Sequence, residues 1–130
     1  MKVFLLDSDI LMDFFKKKSF AERLLAELYK KGKLATSILS VSELCSGWNK
    51  EQTKFFVPLL FDLVDIYFID KKIAQLAGKF RFEFKKKGIN LPVIDTLIAS
   101  TAIQNKLTLV TRNIKDYPMK ELKIYKIPEV

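Results

Sequence analysis

The sequence contains no histidine and only one cysteine, Cys45. Without histidine, the Ser-His-Asp and Cys-His mechanisms of nucleophilic catalysis and every His-ligated metal site are excluded. A single cysteine can form neither an intramolecular disulfide nor a zinc site built from several thiolates. If the protein is an enzyme that uses a metal, the ligands must be oxygen atoms, which suit Mg²⁺ or Mn²⁺.

Glycine and proline are also scarce, with four of each in 130 residues, whereas 49% of the residues are hydrophobic. This composition predicts a single compact domain over residues 1–130. No apolar run approaches the roughly 18 residues of a membrane-spanning helix. Asp7 and Asp9 interrupt the first apolar stretch too early for a signal peptide. We therefore expect a cytoplasmic protein with no membrane partner.

Positive charge is in excess, with 23 Lys and Arg residues against 15 Asp and Glu residues and a net charge of +8. Lysines cluster at positions 16–18, 30–33 and 85–87. One interpretation is a well-solvated surface, and the other is a polyanionic partner such as nucleic acid. Because only three arginines occur, the composition favours binding through attraction to phosphates over recognition of base edges.

Short apolar segments alternate with amphipathic segments along the chain. The apolar segments predict strands at 3–6, 34–38, 64–69, 107–110 and 122–127, and helices fill most of the sequence between them. Fully apolar strands are typical of a sheet that is buried on both faces. The sequence therefore predicts an α/β fold, a three-layer α/β/α sandwich with a mostly parallel central sheet. In such folds the functional site lies at the carboxyl ends of the strands.

Two carboxylates follow the first predicted strand, and a third lies on a later predicted helix. Asp7 and Asp9 either cap the helix that begins there or belong to a functional site. Glu43 has the same ambiguity, because Ser40 and Glu43 have the spacing of a helix capping box.

Asp95 is the most informative carboxylate of the sequence. It lies in the nearly all-apolar helix start 91–99, which predicts that its side chain is buried. The helix dipole favours an acid in the first turn by only about 0.3–1 kcal/mol. Burial of an unpaired carboxylate costs several times more, so Asp95 is expected to have a cationic partner.

Acidic side chains at neighbouring strand ends repel one another, and a divalent cation relieves that repulsion. Mg²⁺ or Mn²⁺ held in this way can activate water for attack on a phosphodiester bond. In a chain without histidine, this is the simplest hydrolytic chemistry left.

Four segments together resemble the motifs of PIN-domain ribonucleases, in particular the VapC-type toxins of toxin–antitoxin pairs. The segments are 6–12, 40–47, 95–99 and 109–113, the last followed by Asp116 and Tyr117. Each motif alone has low specificity, but their order and spacing are more specific, and the resemblance covers residues 3–128.

This resemblance implies a Mg²⁺- or Mn²⁺-dependent endoribonuclease that acts as the toxin of a type II pair. It implies four residues that are both catalytic and metal-ligating: Asp7, Glu43, Asp95 and Asp116. Asn113 is the alternative for the fourth position, and here it would orient water or metal. Thr111 would hydrogen-bond within the pocket, and Asp9 is an additional charge that many relatives lack.

The resemblance also implies three partners, namely an RNA substrate, a small antitoxin protein and a second copy of the chain. The basic residues expected to contact RNA are Arg112, Lys85, Lys86 and Lys87.

Two other interpretations remain open from the sequence. The first is a catalytically inactive PIN-like module that binds RNA or protein. The second is a receiver-like domain with Asp70 as its phosphoacceptor, although this leaves Glu43 and Asp95 without a role. Asp70 is explained as well by capping of the helix that follows it.

Overall fold

The fold of the protein, given by a computed structural model that describes residues 1–128, follows the predicted alternation of strands and helices. The strands are β1 (Val3–Leu6), β2 (Lys33–Ser37), β3 (Asp65–Tyr67), β4 (Thr108–Val110) and β5 (Lys123–Ile124). The helices are α1 (Ser8–Phe15), α2 (Ser19–Lys31), α3 (Ile38–Ser46), α4 (Lys50–Leu63), α5 (Lys71–Lys86) and α6 (Val93–Gln104), with a 3₁₀ turn at Ile114–Asp116.

The five strands form one sheet in the order β3-β2-β1-β4-β5, and every pair of neighbours is parallel. Leu5 in the centre of β1 pairs with Ala35 on one side and with Leu109 on the other. Because all strands run the same way, their carboxyl ends share one edge of the sheet. β1 lies in the middle, so Asp7 occupies the centre of that edge.

Alternate residues of β1 point to two separate hydrophobic layers, as the pleat of a strand requires. Phe4 and Leu6 pack with side chains of α1, α2, α3 and α4, whereas Leu5 packs with α5 and α6. Helices thus cover both faces of the sheet. The predicted three-layer α/β/α sandwich is confirmed, and the apolar strand sequences reflect burial on both faces.

Helix α6 carries buried hydroxyl side chains that form their hydrogen bonds within the helix itself. Ser100 and Thr101 each donate a hydrogen bond to the backbone carbonyl four residues earlier, at 2.8 Å. This pairing lets hydroxyl residues lie inside a buried helix at little cost.

The start of β2 requires glycine at position 32, because an added Cβ there would overlap the carbonyl oxygen of Lys2.

The predicted capping box at Ser40 and Glu43 is wrong. Helix α3 begins three residues before the predicted start, and Ser37 is its N-cap, accepting a hydrogen bond from Leu39 N at 3.1 Å. Ser40 lies inside the helix, where its Oγ is buried and has no partner among the described residues. Glu43 is therefore not committed to capping.

This reassignment predicts opposite outcomes for two serine substitutions in α3. Ser37→Ala should lower the free energy of unfolding by about 1 kcal/mol, because it removes a helix cap. Ser40→Ala should be neutral or slightly stabilising, since it removes a buried hydroxyl without a partner. Urea unfolding of both variants measures the difference, and equal losses would contradict the assignment of the cap.

Other differences from the sequence prediction concern the ends of elements. β3 and β5 are shorter than the predicted segments 64–69 and 122–127, which lie at the two edges of the sheet. Helix α4 continues through Pro58. Across residues 1–128, no helix combines the length and apolarity that crossing a bilayer requires.

Candidate active site

Asp7 is the buried centre of the carboxyl edge, with 5% of its surface exposed. Its Oδ1 accepts a hydrogen bond from Ser8 N, and its Oδ2 accepts one from Thr111 Oγ1, each at 2.9 Å. Thr111 follows β4, the strand paired with β1, so the sheet itself places these two side chains together. The predicted hydrogen-bonding role of Thr111 thus corresponds to a direct contact with Asp7.

Tyr117 completes the surroundings of Asp7. Its buried hydroxyl donates a hydrogen bond to Asp7 Oδ2 at 2.9 Å and lies 3.5 Å from Asp95 Oδ1. The phenol therefore lies between the two aspartates that the sequence motifs singled out. Burial, together with the negative charges of Asp7 and Asp95, raises the pKa of Tyr117 far above its usual range, so the hydroxyl keeps its proton.

Asp95 lies in the first turn of α6 and is half-buried. The expected complete burial of this helix start is wrong, because Val93 and Ile94, which precede Asp95 in the same turn, are exposed. Burial still raises the pKa of Asp95 to about 6, and the charges of Asp7, Asp116 and Glu43 add to the effect. The charges of three other carboxylates therefore act on Asp95 at this edge of the sheet.

Glu43 extends from α3 toward the first turn of α1, where Ser8 Oγ donates a hydrogen bond to its Oε1 at 3.1 Å. Desolvation of the carboxylate raises the pKa of Glu43, the hydrogen bond from Ser8 lowers it, and the charge of Asp7 raises it further. The contact with Ser8 explains how an exposed helical glutamate is oriented toward the buried Asp7.

Asp116 and Asn113 both lie in the turn that follows β4, but they have different surroundings. Asp116 is half-buried and its charge acts on Asp95. Asn113 is exposed, and its backbone N–H donates to Thr111 Oγ1 at 3.1 Å. Asn113 lines a surface depression of about 450 Å³ together with Asp9, Met12, Asp13 and Arg112.

Asp9 points to that depression and connects α1 to the loop after β4. It accepts hydrogen bonds from Ile10 N at 2.8 Å and from Arg112 N at 2.9 Å. Burial raises the pKa of Asp9 to about 6, the hydrogen bond from Arg112 opposes this, and the charge of Asp7 adds to it. Its charged surroundings thus include both Asp7 and the buried Asp13.

Arg112 has two contacts that hold its guanidinium in place. Its Nη1 lies 3.0 Å from Asp13 Oδ2, and the guanidinium stacks 5.0 Å from the centre of the Phe20 ring. Lys18 Nζ lies 3.2 Å from the other oxygen of Asp13. The side chain of Arg112 nevertheless remains about half exposed, so a phosphate can approach it from solvent.

Lys85, Lys86 and Lys87 lie at the end of α5 and are exposed. Lys86 Nζ lies 4.6 Å from the centre of the exposed Phe82 ring. The connection from α5 to α6 consists of residues 87–92, so only one short loop separates these lysines from the turn that carries Asp95. A larger surface depression than the one beside Asp9, about 640 Å³, is elsewhere, at the amino ends of β2 and β3.

The donor set at the carboxyl edge suits a hard divalent cation. All four candidate ligands are carboxylates, and among the described residues Asp7 forms no ion pair with Lys or Arg. Within residues 1–128, no three acidic or thiol side chains converge closely enough to form a preassembled metal group. The carboxylates are thus close enough for their charges to raise the pKa values of Asp95 and Glu43, but they remain spread apart, as mutual repulsion requires.

Sequence reasoning missed Tyr117, Ser8 and Asp13 as parts of this site. Tyr117 stood in the fourth motif without a role, although a tyrosine needs a partner for its hydroxyl when its ring is buried. Ser8 and Asp13 gave no signal, because their partners are 35 and 99 residues away in the sequence.

The receiver-like interpretation is not borne out by the position of Asp70. Its carboxylate caps α5, accepting a hydrogen bond from Ile73 N at 2.8 Å. It follows the edge strand β3, which β2 separates from β1 and Asp7.

Comparison with known proteins agrees with the geometry. The model of the PIN domain family matches residues 4–120. Ribonuclease VapC1 of Methanocaldococcus jannaschii is 34% identical over 124 residues, which cover 93% of this chain and 85% of that protein. Ribonuclease VapC19 of Mycobacterium tuberculosis is 30% identical over 116 residues, covering 88% and 92%.

A solved structure shows the same fold. The VapBC2 complex of Rickettsia felis, bound to a DNA fragment from its promoter, matches with a TM-score of 0.84 and 28% identity, over 95% of this chain and 97% of that one. The chain therefore belongs to the PIN-domain family and, within it, to the VapC ribonucleases.

Proposed function

We propose that this protein is a Mg²⁺- or Mn²⁺-dependent endoribonuclease and the toxin of a type II toxin–antitoxin pair. The observation that carries the proposal is the group of four carboxylates around Asp7, at the carboxyl edge of a parallel sheet, in a VapC-type chain. Asp7, Glu43, Asp95 and Asp116 would be the catalytic and metal-ligating residues. The raised pKa values of Asp95 and Glu43 beside Asp7 are what a set of carboxylates awaiting a cation should show.

Each residue has a distinct part in this proposal. A bound divalent cation would activate water and offset negative charge on the phosphate in the transition state. Asp7 is fixed by three hydrogen bonds, so it can hold the cation at a constant position. Ser8 orients Glu43, and the turn after β4 brings Asp116 toward Asp95. Asn113 and Asp9 would orient water at the rim.

Cleavage of a mixed cellular RNA pool by the purified protein, free of antitoxin, tests this function. We expect discrete fragments with Mg²⁺ or Mn²⁺ and none with EDTA or with the Asp7→Asn variant. End mapping of the fragments would identify the RNA and the cleaved sequence. Absence of cleavage by a folded protein would favour the catalytically inactive binding module, which should also show no stabilisation by Mn²⁺.

RNA would approach across the exposed lysines at the end of α5, with Arg112 as a further contact. The three lysines attract phosphates. The exposed ring of Phe82, next to Lys86, offers a surface on which an unpaired base can stack. An RNA substrate inside the cell also implies that the protein acts in the cytoplasm.

Replacement of Lys85, Lys86 and Lys87 by alanine should weaken RNA binding for all sequences alike. The slope of log affinity against log salt should fall by about 2, the value for three phosphate contacts on a single strand. The matched control replaces three exposed lysines elsewhere on α5, namely Lys71 and Lys72 at its start and Lys79 in its middle. Binding titrations at several salt concentrations measure both. Equal slopes for the two variants would contradict a role for positions 85–87.

An antitoxin and a second copy of the chain are the proposed protein partners. A VapBC2 structure and a toxin-antitoxin complex are among the solved structures that this chain resembles. Two protein partners would each need a contact surface, and two regions carry several exposed apolar side chains. On α4 they are Phe55, Leu59 and Phe61, and around the α5–α6 connection they are Phe82, Ile89, Val93 and Ile94. Light scattering of the purified chain would determine whether it is a dimer.

A further inference from the structure

The hydrogen bonds at Asp7 leave its carboxylate little free capacity. A carboxylate offers about four lone-pair positions, two on each oxygen. On Oδ2, both positions are occupied by hydroxyl donors, Thr111 Oγ1 and Tyr117 Oη, each at 2.9 Å. On Oδ1, Ser8 N occupies one position. One lone pair, on Oδ1, is left for any further ligand.

The two hydroxyl donors are held rigidly. Thr111 is fully buried, and Tyr117 is 3% exposed, with its ring in the hydrophobic layer that contains Ile98 and Leu109. Tyr117 cannot turn away from Asp7 without opening a void in that closely packed layer, and Thr111 is enclosed on all sides. The occupancy of Oδ2 is therefore a built-in feature of the pocket.

We infer that Tyr117 is a positioning residue that sets the cation preference of the site, because with Thr111 it restricts Asp7 to one coordinating oxygen. This inference rests on the proposed cation site. Ca²⁺ takes six to eight oxygen ligands in flexible geometry and often binds both oxygens of one carboxylate. Mg²⁺ requires octahedral geometry and keeps several waters, so single oxygens from separate carboxylates suit it. A site with Oδ2 occupied thus discriminates against Ca²⁺.

Tyr117→Phe tests this inference by removing one donor while the ring stays in place. Calorimetric titration of the RNA-free protein with Mn²⁺ and with Ca²⁺ gives a dissociation constant for each cation. We expect the ratio of the Ca²⁺ constant to the Mn²⁺ constant to fall by about fivefold, the factor that one ordinary hydrogen bond represents. Thr111→Val removes the other donor to the same oxygen and should shift the ratio in the same direction.

Tyr125→Phe is the matched control, because it removes a phenol hydroxyl that accepts a hydrogen bond from Lys31, away from the carboxylates. Its ratio should equal that of the wild type. An unchanged ratio in the Tyr117 and Thr111 variants, or an equal loss of affinity for both cations, would overturn the inference. If Tyr117→Phe does not fold, Thr111→Val decides. A wild-type protein that binds neither cation would instead refute the proposed function itself.

Discussion

Replacement of Asp95 by asparagine should reduce RNA cleavage at least about a hundredfold and, at the same time, stabilise the metal-free protein at neutral pH. Activity is lost because the variant lacks one of the carboxylates proposed to hold the cation. Stability rises because the burial and the neighbouring charges that raise the pKa of Asp95 to about 6 also make its ionised form unfavourable in the folded state. Since the side chain is only half-buried, the expected gain is about 1 kcal/mol.

The gain from Asp95→Asn should depend on pH in a defined direction. The folded-state pKa of Asp95 lies above its ordinary value of 3.8, so ionisation of this group destabilises the fold as the pH rises from about 4 to about 6. At about pH 3, below that ordinary value, the carboxyl group is mostly protonated in both states, and the variant should have little advantage. Thermal unfolding in EDTA at about pH 3 and about pH 8 measures the difference. A variant that cleaves RNA at the wild-type rate would refute the catalytic role.

Replacement of Asp7 by asparagine should also abolish cleavage, but it should destabilise the protein. Asp7 accepts three hydrogen bonds, including two hydroxyl donors on Oδ2. An asparagine side chain offers one acceptor oxygen, and its amide nitrogen would face donors that remain buried. Loss of hydrogen bonds to a buried charged group should lower the free energy of unfolding by about 1–3 kcal/mol.

The same chemical change at two neighbouring aspartates therefore has opposite effects on stability. Asp95→Asn and Asp7→Asn serve as controls for each other, because both remove one negative charge from the same pocket. Urea unfolding in EDTA at pH 8 compares them directly. Stabilisation by both substitutions would mean that repulsion, and not hydrogen bonding, dominates the energetics of Asp7.

The sequence was sufficient for the fold because its central strand, β1, is fully apolar and the alternation of strands and helices leaves few arrangements. Leu5 and Leu6 point to opposite faces of the sheet and both are buried, which only helices on both faces allow. The ends of elements were less predictable. Ser37 and Ser40 are both suitable helix caps. Which of them caps α3 depends on where β2 ends, and the local sequence does not show this.

The acidic residues of the site were predictable from their places after strands and at a helix start. Their contacts were not, since these depend on how distant segments meet. Tyr117 reaches Asp7 across 110 residues of sequence, and Arg112 reaches Asp13 across 99. Asp95 was expected to be buried because its neighbours are apolar, but Val93 and Ile94 are exposed beside it.

The most direct test of the carboxylate site is a comparison of two curves measured on the same protein. One is the rate of single-turnover cleavage of a defined RNA against Mn²⁺ concentration, and the other is binding of Mn²⁺ to the RNA-free protein. The four-carboxylate site predicts that replacing Asp7 or Asp95 by asparagine weakens both Mn²⁺ binding and cleavage. It also predicts that the cleavage rate rises over the same Mn²⁺ concentrations at which the cation binds. Cleavage that persists in EDTA, or Mn²⁺ binding that survives both asparagine substitutions, would contradict it.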